Sequence, residues 1–347
     1  MATGAGETRR LAADPAGIAE TARLLATGRL VAFPTETVYG LGADARNAAA
    51  VAALYAAKGR PSRNPLIVHV ADSAAAEAIA RIGPLAMRLA DAFWPGPLTM
   101  VLPLRAEAAL APAVTAGRDT VGLRVPAGPV ARTLIAAAGC PVAAPSANPS
   151  GKISPTSADH VLDPAAGLAG RIDAVLDAGP ATVGVESTIL AVEEAGPMPR
   201  VRLLRPGGIG VEALSAALRG VQLDLSAGED GGTAPLAAPG LMVSHYAPRA
   251  RLRLDAEAPM AGEAWLGFGP DPATAASVPV ADTLSPGGDT AEAATRLFAA
   301  LRRLDAALPK GGTIAVAPVP MTGLGRAVND RLARAAATRP GDPESGC

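Results

Sequence analysis

Short apolar runs alternate with amphipathic segments along most of the chain, and this alternation is typical of an α/β fold. The runs that predict strands lie at residues 30–33, 66–70, 98–104, 120–126, 141–144, 174–176, 187–192 and 200–204. The segments with helical periodicity lie at residues 14–28, 47–58, 73–81, 84–93, 128–138 and 211–218. Asp14 and Asn47 are placed to cap the first two helices, because short polar side chains accept hydrogen bonds from free backbone N–H groups.

The pattern divides the chain into four parts. Residues 1–13 are predicted to form a tail, and residues 14–208 are predicted to form the main α/β domain. Residues 209–248 are predicted as a linker or lid, since most of them are rich in glycine, proline and alanine. Residues 249–340 repeat the strand–helix pattern and predict a smaller, three-layer, Rossmann-like α/β domain. The linker ends in His245 and Tyr246 between two prolines, which favours packing on a domain or covering a ligand.

A cationic loop lies between the second predicted helix and the second predicted strand. Lys58, Arg60 and Arg63 occur within six residues, and Pro61 and Pro65 stiffen the backbone. The chain has only three lysines among its 31 basic residues, and the compact charge of lysine suits phosphate oxygens. The loop therefore favours an anion site. A solvated loop is the ordinary alternative, and GC-rich coding would also explain the few lysines.

Two further polar loops follow predicted strands: the first polar loop, residues 34–42, and the second polar loop, residues 145–154. Hydroxyl groups and backbone amides after a strand end are what a small polar ligand needs. Arg124 interrupts an apolar run, and the alternation is compatible with a side chain that points into a cleft. Of the thirteen Lys, Asn, Tyr and His residues, eight lie in or beside these segments: Tyr39, Lys58, Asn64, His69, Asn148, Lys152, His245 and Tyr246.

Composition narrows the classes of function. The formal net charge of −1 gives no overall attraction to nucleic acid or anionic membrane. Cys140 and Cys347 have neither disulfide-framework nor metal-site spacing, which fits a reducing cytosol. We expect neither a secretory signal nor a membrane span, because the apolar runs are too short. The sequence also lacks dinucleotide, Walker, Ser-His-Asp and metal-spacing motifs.

The polar loops form an ordered set of motifs. They are Phe33-Pro34-Thr35-Glu36-Thr37-Val38-Tyr39-Gly40-Leu41, Lys58-Gly59-Arg60-Pro61, Asn64-Pro65-Leu66, Pro145-Ser146-Ala147-Asn148, Glu186-Ser187-Thr188 and Leu204-Arg205-Pro206-Gly207. Together they resemble the YrdC-like threonylcarbamoyl-AMP synthases. Ser244-His245-Tyr246-Ala247-Pro248 and Asn329-Asp330-Arg331 resemble the long form, which carries an extra C-terminal domain. The resemblance implies a twisted, open mixed sheet with flanking helices, joined by a linker to the smaller domain.

This resemblance implies an activity and its partners. Such a family joins L-threonine, bicarbonate and ATP into threonylcarbamoyl-adenylate and releases pyrophosphate. A separate transferase complex then moves the threonylcarbamoyl group onto adenosine beside the anticodon of tRNA. The resemblance further implies Mg²⁺ carried by ATP, no metal held by the protein, and no tightly bound organic cofactor. Weak direct contact with tRNA stays open, and no membrane partner is implied.

Site residues are carried over by the same resemblance. L-threonine would be held by Thr37, His69, Arg124, Ala144 and Ser187. ATP would be held by Arg60, Asn64, Thr120, Ser146, Ser154, Arg205 and Tyr246. Lys58 and Arg60 would be the catalytic cations beside the phosphates.

The expected chemistry suits these residues. A guanidinium such as Arg124 binds a carboxylate through two parallel hydrogen bonds. The amine of threonine must be unprotonated to take up CO2, so we expect a neutral acceptor such as His69 or a backbone carbonyl rather than a carboxylate. The resulting N-carboxylate attacks the α-phosphorus of ATP, and Lys58, Arg60 and Arg205 with Mg²⁺ neutralise the growing charge.

Three other functions stay open at this point, and one of them is a purely regulatory or ribosome-associated role. A tRNA or double-stranded RNA binding module without adenylation chemistry would use the same arginines on phosphates. It would need neither the hydroxyl-rich first polar loop nor the His-Tyr pair. The carbamoyl-adenylate chemistry of hydrogenase maturation uses a related domain beside cysteine-rich zinc modules, and two cysteines in this chain disfavour it.

Overall fold

Packing divides the described chain into two units, each built around its own sheet. The computed structural model describes residues 7–196, 198–226 and 244–338. The first unit contains the described residues up to 226 except 151–153, and those three residues belong with 244–338 in the second unit.

An 11-stranded mixed sheet forms the centre of the first unit. Its strands are β1 (Arg9–Ala12), β2 (Val31–Phe33), β3 (Gly40–Asp44), β4 (Ile67–His69), β5 (Leu98–Pro103), β6 (Thr120–Arg124), β7 (Val142–Ala143), β8 (Ala174–Asp177), β9 (Thr188–Glu193), β10 (Arg200–Arg205) and β11 (Leu223–Asp224). Its helices are α1 (Pro15–Ala26), α2 (Ala48–Lys58), α3 (Ser73–Glu77), α4 (Pro84–Phe93), α5 (Pro112–Thr115), α6 (Pro129–Ala138), α7 (Ala158–Leu162) and α8 (Val211–Leu218). The strand order is β1-β8-β2-β3-β7-β4-β6-β5-β9-β10-β11.

Helices cover both faces of this sheet, because successive side chains of a strand point to opposite sides. In β2, Val31 and Phe33 pack with Leu25 of α1 and Leu134 of α6. Ala32, between them, belongs to the other apolar core, which includes α2, α4 and α8. The predicted mixed sheet with flanking helices is therefore confirmed.

Caps fix the start of the helices that lead to the candidate site. Asp14 accepts a hydrogen bond from the Gly17 N–H, and Asn47 accepts from two N–H groups at the start of α2. Both predicted caps are confirmed. Helix α2 ends at Lys58, and Gly59 follows with a left-handed φ of 59°. Glycine adopts this conformation without steric cost, so the chain turns sharply into the cationic loop.

The second unit carries a four-stranded parallel sheet in the order β12-β15-β13-β14. Its elements are β12 (Arg251–Arg253), β13 (Ala264–Gly267), β14 (Ala281–Thr283), α9 (Thr290–Ala307), β15 (Thr313–Val316) and α10 (Gly325–Ala336). Leu297, Leu301 and Leu304 of α9 are fully buried, as the helical periodicity predicted. The smaller α/β domain is thus confirmed.

Two segments differ from the sequence predictions, and a third cannot be compared with them. Residues 9–12, predicted within the tail, form β1 and pair in parallel with β8. Helix α8 and strand β11 continue the first unit beyond the predicted boundary at residue 208, and β11 pairs with β10. Residues 227–243 of the predicted linker lie outside the described residues. Short strands carry little periodic signal, because a few residues cannot show a clear alternation of apolar and polar positions.

Strand β3 was also missed, since most of it was predicted as the glycine-rich end of the first polar loop. Its glycines serve packing in the sheet. A Cβ atom added at Gly42 would lie 2.9 Å from Cε1 of Phe33 and 3.1 Å from Cγ1 of Val142. Only glycine lets these two side chains close over β3.

Replacing Gly42 with alanine should therefore destabilise the first unit by about 1–3 kcal/mol, as overpacked core positions do. Urea unfolding of the full chain measures this change. Gly196→Ala is the control, because its added Cβ would meet only the Met198 carbonyl oxygen, at 3.9 Å. Equal stability of Gly42→Ala and the control would contradict the packing role of Gly42.

Candidate functional site

Polar residues from adjacent strands meet at one edge of the large sheet. β4 and β6 are parallel and end at His69 and Arg124, which are register partners. β5 is antiparallel to β6, β9 is parallel to β5, and β10 is antiparallel to β9. Ser187, just before β9, and Arg205, at the end of β10, therefore lie along the same edge. The sheet brings together four residues that the resemblance selected.

Hydrogen bonds tie the polar loops to one another beside this edge. The Ala147 N–H of the second polar loop donates to the Tyr39 carbonyl of the first, at 2.8 Å. The Val183 N–H donates to the Glu36 carbonyl at 2.7 Å, which ties the first polar loop to the segment before Ser187. Arg124 donates to Thr37 of the same loop. The first polar loop is thus held from three directions.

Arg124 is buried and bound on three sides. Its Nε donates to the Gly96 carbonyl at 3.2 Å, Nη1 donates to Oγ1 of Thr37 at 2.9 Å, and Nη2 donates to Oε1 of Glu36 at 2.7 Å. A guanidinium has five N–H groups, so two remain for a ligand. The sequence predicted a guanidinium open to a carboxylate, and the structure places one carboxylate of the chain on it already.

The pKa values of Glu36 and His69 reflect this environment. Burial would raise the pKa of Glu36, but the charge and hydrogen bond of Arg124 hold it below its ordinary value. Burial and the nearby Arg124 charge lower the pKa of His69 to about 3. Glu36 is therefore ionised and His69 neutral at neutral pH. The ring of His69 also lies edge-on to Phe33, with centroids 6.4 Å apart.

Lys58 holds the second polar loop from inside. Its side chain is buried at the end of α2, and Nζ donates to the carbonyl of Ser146 and, at 2.5 Å, to that of Asn148. Burial, together with the charge of Arg60, lowers the pKa of Lys58 well below its ordinary value. Nζ of Lys58 thus donates two hydrogen bonds to backbone carbonyls. In the protonated form, Nζ keeps a third N–H group that neither carbonyl uses.

The cationic loop places Arg60 over its own backbone. Nε and Nη2 of Arg60 donate to the carbonyls of Asn64 (3.2 Å) and Pro65 (2.9 Å). The side-chain amide of Asn64 is buried, and neither its nitrogen nor its oxygen has a partner among the described residues. A buried amide without partners costs free energy, so the predicted role of Asn64 in ligand binding stays open to test.

Arg205 and Ser187 form a pair at the other end of the edge. Nη2 of Arg205 donates to the Ser187 carbonyl at 2.8 Å and contacts its hydroxyl at 3.2 Å. The Ser187 hydroxyl is also 2.7 Å from Oγ1 of Thr99 on β5. Ser154 donates to Oε1 of Glu186 at 2.5 Å. These bonds hold the predicted residues Ser154, Ser187 and Arg205 in fixed positions.

Three other predicted site residues lie outside the hydrogen-bonded groups described so far. Thr120 is half-buried at the start of β6 and lines a narrow cleft with Pro65 and Ile189. The Ala144 N–H donates to the Ile67 carbonyl at 3.0 Å. Tyr246 belongs to the second unit, where its buried ring stacks on Phe298, with centroids 5.6 Å apart. Its role toward ATP stays a prediction.

Sequence reasoning missed Glu36 and the connecting role of Thr99. Glu36 lies inside a motif that carried the resemblance, yet it was given no function. Its position between Thr35 and Thr37 in a polar loop offered a signal, because hydroxyl groups and a carboxylate together can line a polar site.

Neither a metal cluster nor a membrane segment is found in the described parts of the chain. Residues 7–196, 198–226 and 244–338 hold no group of three or more His, Cys, Asp and Glu side chains placed to bind a metal ion. None of the helices in these ranges has the length and apolar character needed to cross a membrane.

Two family models match the chain in succession. A model named for Sua5, YciO and YrdC, with the description "Telomere recombination", matches residues 23–207. The chain belongs to this family. A second model, described as "Threonylcarbamoyl-AMP synthase, C-terminal domain", matches residues 209–337. The Sua5–YciO–YrdC match lies within the unit that holds the candidate site, and the second match takes in α8, β11 and the smaller domain.

Relatives of known name agree with this membership. A threonylcarbamoyl-AMP synthase of Bacillus subtilis is 48% identical over 248 residues, covering 71% of this chain and 69% of that protein. One of Pyrococcus abyssi is 46% identical over 228 residues, covering 65% of this chain and 64% of that protein. A crystal structure of Pyrococcus abyssi Sua5 complexed with L-threonine superposes with a TM-score of 0.83 at 34% identity, covering 95% of this chain and 98% of that one.

The depressed pKa of His69 predicts a pH dependence of stability. Between the ordinary histidine pKa of about 6.5 and the folded value of about 3, only the unfolded chain binds this proton, so stability falls as the pH falls. From pH 7.5 to 5.5 the loss from this group is about 1.4 kcal/mol. We expect His69→Asn to lack this loss.

Urea unfolding of the first unit, followed by Trp94 fluorescence in a Trp265→Phe background, measures the difference. The other two histidines are present in both proteins, so their effects cancel. An identical change between the two pH values in wild type and His69→Asn would contradict a neutral, buried His69.

Proposed function

We propose that the chain is a threonylcarbamoyl-AMP synthase that joins L-threonine, bicarbonate and ATP and releases pyrophosphate. Family membership and the named relatives support the activity. The observation that carries the site is a set of buried polar atoms without partners in the described residues, on Glu36, Asn64 and His69, beside fixed cations. Such atoms are costly in a folded protein unless a ligand completes them.

The amino acid part of the site is proposed at the Arg124 end of the sheet edge. Thr37, His69 and Arg124 lie together there, and Ala144 follows the neighbouring strand β7. Ser187 lies two strands from Arg124 along the same edge. The two open N–H groups of Arg124 suit the carboxylate of L-threonine. The likeness to the Pyrococcus abyssi structure with L-threonine supports this ligand.

The nucleotide part is proposed along the cationic loop and the second polar loop. Amide and hydroxyl groups are offered by Asn64, Thr120, Ser146 and Ser154. Arg60 and Arg205 offer charge for the phosphates. The predicted role of Tyr246 toward ATP rests on the resemblance alone. The compact charge of Lys58 is fixed beside the Ser146 backbone. Mg²⁺ would come with ATP, because Mg²⁺ commonly binds through substrate phosphates and retained waters.

The chemistry asks the chain to position its substrates and stabilise charge. The free amine of threonine takes up CO2 from bicarbonate, and the N-carboxylate displaces pyrophosphate from the α-phosphorus. Neutral His69 can accept a hydrogen bond without adding negative charge. Fixed cations stabilise the phosphoryl oxygens where charge develops. Holding two reactants in place can alone contribute about 7–11 kcal/mol to the rate.

Burial of the cations argues against the RNA-binding alternative. Lys58, Arg124 and Arg205 are each 3–4% exposed. A module that tracks a phosphate backbone needs cations at its surface. We propose that the product passes to a separate transferase for modification of tRNA, since an acyl-adenylate is easily hydrolysed and must be used promptly.

The direct test is mass spectrometry of the product formed from ATP, bicarbonate and L-threonine by the full chain. The expected species is threonylcarbamoyl-AMP, with pyrophosphate in equal amount. Product formation should require all three substrates. Pyrophosphate release that is independent of L-threonine would contradict the proposal.

Replacing Lys58 with methionine should lower threonine-dependent pyrophosphate release by about 100- to 1,000-fold, as losing one preorganised donor at a developing charge does. Lys310→Met is the matched control, because Lys310 is an exposed lysine of the second unit. Circular dichroism checks that both variants fold. Wild-type turnover by folded Lys58→Met would remove Lys58 from the site.

A further inference from the structure

Glu36 is a buried carboxylate with one oxygen bound and one open. Oε1 accepts a hydrogen bond from Nη2 of Arg124 at 2.7 Å. Oε2 is also buried and has no hydrogen-bond partner of normal geometry in the described residues, although the backbone N–H groups of Ala127 and Glu36 lie close enough to the carboxylate to help lower its pKa. An ionised oxygen left in this state costs more than a neutral one. Oε2 therefore lacks a well-aligned donor in the described chain and can accept a hydrogen bond from a ligand.

The groups around Oε2 define the ligand that would complete it. Arg124, its ion-pair partner, keeps two N–H groups open, as counted above. His69 is the register partner of Arg124 across β4 and β6, and its Nδ1 is also buried and without a partner among the described residues. The cluster thus presents open donors next to an open anionic acceptor. An α-amino acid zwitterion offers the reverse arrangement, a carboxylate beside an ammonium group.

Charge balance favours the zwitterion over an anion. The pair of Glu36 and Arg124 is neutral as a whole. A substrate carboxylate that bound Arg124 alone would put a second carboxylate on one guanidinium, and the two would repel each other. An ammonium group on Oε2 removes this penalty, because each charged end of the ligand then meets a charge of opposite sign.

A bound cation explains the open oxygen less well. Divalent metal ions take several oxygen or nitrogen ligands. In the described ranges no cluster of three His, Cys, Asp or Glu side chains includes Glu36. Thr35 and Thr37, which flank Glu36 in the sequence, have their hydroxyls 2.8 Å apart and bonded to each other.

We propose that Glu36 binds the α-ammonium group of the substrate and selects amino acids against the corresponding hydroxy acids. This inference rests on the proposed function and adds a binding residue to it. The lowered pKa of Glu36 supports the role, since the carboxylate stays ionised at neutral pH. A group that ionises so readily is a weak base, so Glu36 admits the substrate rather than deprotonating it for CO2 uptake.

Calorimetric titration of the full chain with two ligands tests the proposal. One ligand is L-threonine, and the other is 2,3-dihydroxybutanoate of matching configuration, in which a hydroxyl replaces the amine. Wild type should prefer L-threonine by about 10- to 100-fold, the worth of a hydrogen bond between charged groups. In Glu36→Gln the amide oxygen can still accept from Arg124 while its NH2 group faces the ligand. Affinity for L-threonine should fall by the same factor, and affinity for the hydroxy acid should change by less than about threefold.

Glu193→Gln is the matched control, because Glu193 is an exposed carboxylate on β9 that pairs with Arg202. Unchanged affinity of Glu36→Gln for L-threonine would overturn the proposal. Equal weakening of both ligands would also overturn it, since that result indicates a purely structural role. If Glu36→Gln does not fold, the wild-type preference decides, and equal affinity for both ligands refutes ammonium recognition. A wild type that binds neither ligand would instead overturn the proposed function itself.

Discussion

The bonds of one buried guanidinium organise the candidate site. Arg124 draws its three partners from different parts of the chain: the Gly96 carbonyl, the Thr37 hydroxyl and the Glu36 carboxylate. Leaving a buried charge of this kind without its partner costs about 3–5 kcal/mol. The turn before β5, the first polar loop and the end of β6 must therefore converge around Arg124.

Lys58 is also a buried basic group, but its hydrogen-bond partners are backbone carbonyls and not a carboxylate. Its ammonium group is satisfied by the carbonyls of Ser146 and Asn148, which carry no full charge. Arg124, in contrast, is neutralised by Glu36. The site is thus divided into a neutral ion pair at one place and a cation bound to carbonyls at another. A zwitterionic amino acid suits the first and a polyphosphate suits the second, which matches the substrates proposed for the reaction.

Local sequence signals predicted the elements that have strong periodicity or clear caps. Helices α1 and α2 are examples, since Asp14 and Asn47 mark their starts and apolar side chains mark their buried faces. Strands β1 and β3 were not predictable in this way. β1 is a short edge strand whose partner lies about 165 positions away, and the glycines of β3 are required by packing against Phe33.

The candidate site shows the same division between local and distant information. Motif resemblance selected Thr37, His69, Arg124, Ser187 and Arg205, and the sheet brings these residues to one edge. It gave no role to Glu36, because the ion pair with Arg124 spans 88 positions and forms only once β6 is buried beside the first polar loop. Residue type indicates which groups can carry charge, but only the fold decides which charges are neutralised.

The central claim is that the pair of Glu36 and Arg124 is the floor of an amino acid site. A crystal structure of the full chain with L-threonine tests it most directly. We predict density for the ligand with its carboxylate on the two open N–H groups of Arg124 and its ammonium group within hydrogen-bonding distance of Oε2 of Glu36. L-threonine bound elsewhere, with only solvent over this pair, would contradict the account.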